Sequence, residues 1–217
     1  MSRSLARVAR GALLGLTAVH CAAQALDVRS AQVATKPLLG PALAAVAVGA
    51  SPAGRRPSGR LLGALAFSTA GDVALLGESE PAFLAGMGSF LGAHGCYVSE
   101  LGRLGALKSL RGSPFPVVAY GSSWAAGNAL LGPRLGALRV PVAVYSAALV
   151  TMAAAAAGLG RRAALGGGLF ALSDGLIGLR TAGVRFRGQD VAVMATYVAA
   201  QYLLTSAVAR AVPQAAS

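Results

Sequence analysis

The chain has 217 residues, of which 55% are hydrophobic and only 12% are charged. Soluble domains are about one quarter charged, so this composition, with a mean hydropathy of +0.64, excludes an ordinary soluble globule and a disordered chain. The apolar runs are continuous, whereas an outer-membrane barrel alternates polarity along its strands. The sequence therefore predicts an all-α, polytopic transmembrane helical bundle that forms a single membrane domain over residues 1–217.

Eight apolar segments follow one another along the chain. Each is close to the roughly 20 residues that cross a bilayer, and the loops between them carry Pro, Gly, Ser and Arg, which end helices. The sequence thus predicts about eight spans, at residues 5–24, 31–50, 61–77, 82–101, 114–132, 138–158, 163–179 and 191–210.

The first segment has two interpretations. Arg3, Arg7 and Arg10 precede a short apolar core, and Ala23-Gln24-Ala25 resembles a small-residue cleavage site. This arrangement is typical of a secretory signal peptide. A retained first helix is the favoured interpretation, and a cleaved signal peptide is the alternative.

The net charge of +12 comes from 19 basic and 7 acidic residues. Most basic residues lie between the apolar segments, and 12 of the 19 fall on the side of the N-terminus. Cytoplasmic loops carry such an excess, so we expect a multi-pass protein of the cell membrane with a cytoplasmic N-terminus. The bilayer is then the expected partner of these charges. Nucleic acid is not expected, because no aromatic and basic platform accompanies them.

Ionisable groups inside membrane segments are costly, so each is a candidate functional residue. The strongest are Lys36, Asp72, His94, Glu100 and Asp174. Each also has a structural interpretation: Lys36 extending to the interface, Asp72 in an ion pair, His94 in packing, Glu100 at the membrane surface, and Asp174 in a purely structural role within a glycine-flanked run. Cys21 and Cys96 lie in apolar runs and are interpreted as free thiols.

Several of these groups are predicted to share one depth. At 1.5 Å per helical residue, Lys36, Asp72 and Asp174 lie about 7–8 Å from the outer ends of their segments. Milder polar residues fall within about 6–11 Å of the same side: Asn128, Tyr145 and Tyr197. His94 is deeper, at about 20 Å, on the same helix face as Tyr97. This alignment favours a common site.

Two carboxyl groups at one depth of a low-dielectric bundle need not both be ionised. One then serves as an acid and the other as a base, which suits hydrolysis of an acid-labile bond by an activated water. The residues do not distinguish which aspartate has which role. A zinc centre is disfavoured by the presence of only two histidines and no HExxH motif, and a serine hydrolase by the absence of GxSxG. No metal or cofactor is expected.

Five short motifs occur in order on successive segments and resemble those of the YhhN family of integral membrane proteins, which includes the lysoplasmalogenases. The resemblance covers about residues 30–205. The motifs are Thr35-Lys36-Pro37-Leu38, Phe67-Ser68 with Gly71-Asp72, Phe90-Leu91 with His94 and Tyr97, Tyr145-Ser146, and Leu169-Phe170 with Ser173-Asp174.

The resemblance implies an eight-helix, metal-independent enzyme that hydrolyses the vinyl ether of lysoplasmalogens. The products are a fatty aldehyde and glycerophosphoethanolamine or glycerophosphocholine. The family's two aspartates fall on Asp72 and Asp174, which become the predicted catalytic residues. The predicted contacts to the lysophospholipid substrate are Lys36, Asn128, Tyr145, Tyr197, His94 and Tyr97.

Three other functions fit part of the pattern. Membrane-embedded carboxylates also serve proton-coupled transporters. An intramembrane aspartyl protease has two such groups, but its GxGD motif is absent because Thr69-Ala70 precede Gly71-Asp72. A non-catalytic lipid-binding protein is the third alternative.

Overall fold

The computed structural model describes residues 3–211, and side chains from residue 6 onward. Within these residues the chain forms ten α-helices and no strand, which confirms the all-α prediction. The helices are α1 (Arg3–Ala25), α2 (Arg29–Thr35), α3 (Leu39–Ala50), α4 (Gly59–Ala74), α5 (Glu80–Arg103), α6 (Ala106–Gly112), α7 (Phe115–Leu131), α8 (Arg139–Leu159), α9 (Arg161–Thr181) and α10 (Gln189–Arg210).

Two features differ from the sequence prediction. The segment predicted as one helix over 31–50 contains a 3-10 turn at Lys36–Leu38, which separates α2 from α3. Pro37 lies in this turn and has no N–H to donate to the helix. The second difference is α6, in a region predicted as a loop. Gly105, with a φ of 85°, separates α5 from α6 and has the left-handed conformation that glycine favours.

Three helical stretches are long and apolar enough to cross a membrane: Arg29–Ala50, Gly136–Leu159 and Gln189–Arg210. Other helices are shorter or more polar. The 16 residues of α4, for example, extend about 24 Å, which is less than the roughly 30 Å hydrocarbon core. Helices occupy all eight predicted segments, but a count of about eight spans stays a prediction.

The interior of the bundle is organised around α10. This helix packs extensively against α9 and also contacts α3 and α1, while α4 pairs with α5 and α8 packs against α9. Much of its length is buried, including Met194, Tyr197, Gln201, Leu204 and Val208. By contrast, α7 packs mainly on α8 and contains no buried residue.

Glycines on α9 allow close approach to both neighbouring helices. A Cβ atom at Gly166 would lie 2.8 Å from the Leu204 nitrogen of α10, and one at Gly167 would lie 2.9 Å from the Ala153 Cα of α8. Small residues at such positions let helix backbones meet. As a result, α9 packs tightly between α8 and α10. These three helices carry Tyr145, Asp174 and Tyr197, which line the same cavity.

The first helix is packed into the bundle. Ala9 and Leu13 of α1 are buried, and a Cβ atom at Gly49 of α3 would lie 3.0 Å from the Ala6 Cα. His20 also hydrogen bonds to Thr35 of α2. The choice between a retained helix and a cleaved signal peptide stays a prediction.

Candidate functional site

A cavity of about 290 Å³ lies at one end of the bundle, where α4, α7 and α9 approach their C-terminal ends and α8 and α10 begin. Because successive helices run in opposite directions, residues near the end of one helix lie beside residues near the start of the next. Polar residues from both positions therefore meet at the cavity. Six of the eight predicted site residues line the cavity: Lys36, Asp72, Asn128, Tyr145, Asp174 and Tyr197. Most of the remaining wall is apolar, with contributions from Phe83, Met87, Leu131, Leu135 and Ile177.

The first carboxyl group belongs to Asp72, two residues before the end of α4. Only 4% of Asp72 is exposed. The Lys36 ammonium lies 3.9 Å from its Oδ1, and the Tyr197 hydroxyl of α10 donates to its Oδ2 at 2.7 Å. This carboxyl therefore has a cation on one oxygen and a neutral donor on the other, so its negative charge is compensated inside the bundle.

The second carboxyl group belongs to Asp174 on α9 and is half-buried. The Tyr145 hydroxyl of α8 donates to its Oδ2. No cation lies within ion-pair distance of Asp174 among the residues with described side chains. Next to it, the buried Ser173 donates to the Val193 carbonyl at 3.0 Å, which joins α9 to α10 beside the cavity. Each aspartate thus accepts a hydrogen bond from its own tyrosine, but only Asp72 has a cation beside it among the described side chains.

An aromatic cluster connects the two tyrosines. Phe170 packs edge-to-face against Tyr197, with ring centroids 5.6 Å apart, and against His94 at 5.0 Å. Phe90 packs on both Phe170 and Tyr197 in the same way, and His94 lies 5.5 Å from the Tyr145 ring. Such contacts restrict ring orientation, so the hydroxyl groups are held at defined positions.

Two predicted contact residues lie behind the cavity rather than on it. His94 and Tyr97 are completely buried and are not among the lining residues. His94 Nε2 lies 3.2 Å from the Tyr145 hydroxyl, and Tyr97 donates to Gln201 at 2.7 Å. The deeper position predicted for His94 agrees with this, but a residue that does not reach the cavity is not placed to touch a substrate there.

Asn128 and Trp124 form the α7 side of the cavity. The Asn128 amide donates to the Trp124 carbonyl at 2.9 Å, and the Trp124 indole donates to the Ala143 carbonyl of α8 at 3.1 Å. Part of the Asn128 hydrogen-bonding capacity is therefore used within its own helix. Trp124 was not predicted as a site residue, since a lone tryptophan in an apolar run indicates only packing.

Sequence reasoning also missed the role of Gln201. Its amide is fully buried on α10 and contacts Ser68, Tyr97 and Tyr197. Its position four residues after Tyr197, on the same helix face, was the available signal. Among the described residues, no group of three His, Cys, Asp or Glu side chains is arranged to hold a metal ion.

The fold and the cavity together define an all-helical protein of membrane-compatible composition, with a polar site enclosed by its apolar helices. A sequence model of the YhhN family matches residues 31–208, and the chain belongs to this family. The resemblance inferred from the five motifs is thereby confirmed. No curated protein and no solved structure matches the chain.

Proposed function

We propose that this protein is a membrane hydrolase that cleaves the vinyl ether bond of lysoplasmalogens. The observation that carries the proposal is one cavity with apolar walls into which two helices bring Asp72 and Asp174, each hydrogen bonded by a tyrosine. Membership of the YhhN family is consistent with a membrane hydrolase. The products are a fatty aldehyde and glycerophosphoethanolamine or glycerophosphocholine.

The reaction needs an acid, a water molecule and a stabilised cation. Proton transfer to the β-carbon of the vinyl ether converts the C=C bond into a C–H bond and leaves an oxocarbenium ion. Water adds to the α-carbon of this ion, the one bonded to the ether oxygen, and loses a proton. The resulting hemiacetal passes its hydroxyl proton to the ether oxygen as the C–O bond breaks, which releases the aldehyde and the alcohol. A positioned acid contributes about 10²–10⁴-fold to such a step, and a carboxylate stabilises the developing positive charge.

We assign the acid to Asp174 and the carboxylate to Asp72. Lys36 lies 3.9 Å from Asp72 and compensates its negative charge, which favours the ionised form. Asp174 has no such partner among the described side chains, so the apolar bundle favours its neutral form. Tyr145 donates to Oδ2 of Asp174, which leaves the other oxygen to carry the acidic proton toward the substrate.

The membrane arrangement is part of the proposal. We propose about eight spans in the cell membrane with a cytoplasmic N-terminus, which puts the cavity nearer the outer surface. A lysolipid has its vinyl ether just below the headgroup, so the bond would lie at the level of the aspartates. The Lys36 ammonium, 3.9 Å from Asp72, would then be the cation nearest to the lipid phosphate. No metal or cofactor takes part in the proposed reaction.

Aldehyde release from lysoplasmalogen by the purified protein tests the proposal. Asp72→Asn and Asp174→Asn preserve size and should each lower kcat by about 10²–10⁴-fold. Asp27→Asn is the matched control, because Asp27 is exposed and has a φ of 54°, which asparagine tolerates. Full activity in both cavity variants would contradict the assignment.

A proton-coupled transporter is the second candidate. The observation in its favour is the 3-10 turn at Lys36–Leu38, which interrupts an otherwise membrane-length helical stretch beside the cavity. Interrupted helices at a central site occur in transporters. Uptake of a lysolipid into proteoliposomes, driven by a pH gradient and without aldehyde release, would favour this function over hydrolysis.

A further inference from the structure

Two buried side-chain nitrogen atoms approach the hydroxyl oxygens of the site tyrosines from behind. His94 Nε2 lies 3.2 Å from the Tyr145 hydroxyl oxygen, and Gln201 Nε2 lies 3.2 Å from the Tyr197 hydroxyl oxygen. His94 and Gln201 are both fully buried, and neither lines the cavity. Any effect they have on a bound molecule must therefore pass through the tyrosines.

The tautomer of His94 follows from the number of protons available for its hydrogen bonds. A tyrosine hydroxyl has one proton to donate, and that of Tyr145 goes to Asp174. The bond between His94 and Tyr145 must then be donated by Nε2–H of the imidazole. A neutral ring with its proton on Nε2 carries a bare lone pair on Nδ1, and Nδ1 of His94 is indeed buried without a hydrogen-bond partner.

The protons around Tyr197 can be counted in the same way. The single proton of Tyr197 goes to Asp72, so its oxygen accepts from the Gln201 amide. The second amide proton of Gln201 goes to Ser68 at 2.9 Å, and its carbonyl accepts from Tyr97 at 2.7 Å. The Tyr97 hydroxyl thus orients the amide so that its NH₂ group faces Tyr197.

We propose that His94 and Gln201 are positioning residues for the two carboxyl groups. Each occupies a lone pair of a tyrosine oxygen, which directs the only proton of that tyrosine to Asp174 or Asp72. The same chain of contacts, from N–H to tyrosine to aspartate, thus occurs twice around the cavity. The catalytic part of this inference rests on the proposed hydrolase function, and it replaces the predicted substrate contact of His94.

Measuring the tautomer of His94 tests the proposed positioning role without an activity assay. The chain has two histidines, and His20 supplies the internal contrast. His20 Nδ1 lies 2.7 Å from the Thr35 hydroxyl, whose own proton goes to the Ala31 carbonyl at 2.6 Å. His20 therefore carries its proton on Nδ1, and His94 carries its proton on Nε2.

Nitrogen NMR of ¹⁵N-histidine-labelled protein in detergent distinguishes the two tautomers, and His94→Gln assigns the signals by removing one ring. Opposite tautomers, with Nε2–H at His94, are expected. In Tyr145→Phe, His94 Nε2–H loses its acceptor, so its signal should shift while that of His20 stays in place. A proton on Nδ1 of His94 in the unmodified protein would overturn the proposal.

The activity of His94 variants distinguishes a positioning role of this residue from a role in packing alone. His94→Gln keeps an N–H near the position of Nε2 and should retain kcat within a few-fold. His94→Phe fills the space without a donor and should lower kcat by about 10–100-fold with little change in KM, as expected for misplaced catalytic groups. Gln201→Met should behave like His94→Phe. Thermal unfolding of each variant checks that the fold is intact.

Two activity results would overturn the inference: wild-type kcat in His94→Phe, or equal losses in His94→Gln and His94→Phe. A purified wild-type protein that releases no aldehyde would contradict the hydrolase function instead. The positioning of Tyr145 by His94 would then be judged on the tautomer alone.

Discussion

The ion pair between Lys36 and Asp72 is the contact on which the cavity depends most directly. The side chains are only 14% and 6% exposed, and the two charged atoms are 3.9 Å apart. Removing both charges from water is costly, and their mutual attraction offsets this cost only while both partners are present. The pair therefore joins the turn before α3 to the end of α4. Either residue without the other would be an uncompensated buried charge that destabilises the fold.

Lys36→Met should destabilise the protein by about 3–5 kcal/mol, because Asp72 is then left buried without its cation. Asp72→Asn in the same chain removes the second charge and should restore much of the lost stability. Thermal unfolding in detergent measures both effects. Equal stability of Lys36→Met and the wild-type protein would show that the pair is not coupled to folding.

Among the helices, α7 is the least embedded and forms one wall of the cavity. It packs mainly on α8, yet Ser123, Trp124, Gly127 and Asn128 face the cavity. A Cβ atom at Gly127 would meet no atom within 4 Å. Gly127 therefore borders open space on the cavity wall. In the proposed function, the alkyl chain of a lysolipid would lie in this space.

Gly127→Leu should fill this space and raise KM for long-chain lysoplasmalogens by about 10-fold or more, since even one methylene group changes binding in an apolar pocket by at least about that factor. Shorter chains should be less affected. Gly121→Leu is the matched control, since Gly121 is an exposed position of α7 where a Cβ atom would likewise meet no atom within 4 Å. Identical KM values for the two variants would contradict the assignment of this wall.

For the whole molecule, the orientation in the membrane decides which surface the cavity faces. The loop after α3 carries Arg55 and Arg56, and the loop after α9 carries Arg185 and Arg187. With about eight spans and a cytoplasmic N-terminus, the first loop is cytoplasmic and the second is external. The cavity end of the bundle lies on the same side as the second loop.

Cysteine labelling tests this arrangement in intact cells. In a Cys21→Ala, Cys96→Ala background, Arg185→Cys should react with a membrane-impermeant maleimide, and Arg56→Cys should react only after lysis. Cys21 and Cys96 are half-buried free thiols, so their removal leaves a single reactive site. Labelling of both positions from outside would contradict the predicted number of spans between them.

Much of the architecture was predictable because apolar runs and their breaks are local properties. The helices α5, α8, α9 and α10 begin and end within two residues of the predicted segments. That six of the polar residues would meet at one level of the bundle was predictable too, since their relative level follows from helical rise and alternation. The 3-10 turn at Lys36–Leu38 was not, because Pro37 is also compatible with the first turn of an ordinary helix.

The composition and order of its residues made this chain an all-helical, membrane-compatible protein of a recognisable family, with polar groups at one level. Periodicity alone does not say which face of a helix meets which neighbour. The packed structure settled that Asp72, Asp174, Tyr145 and Tyr197 line one cavity while His94 lies behind it. The physical reason is close packing at small residues such as Gly166, which sets the rotation of each helix against the next.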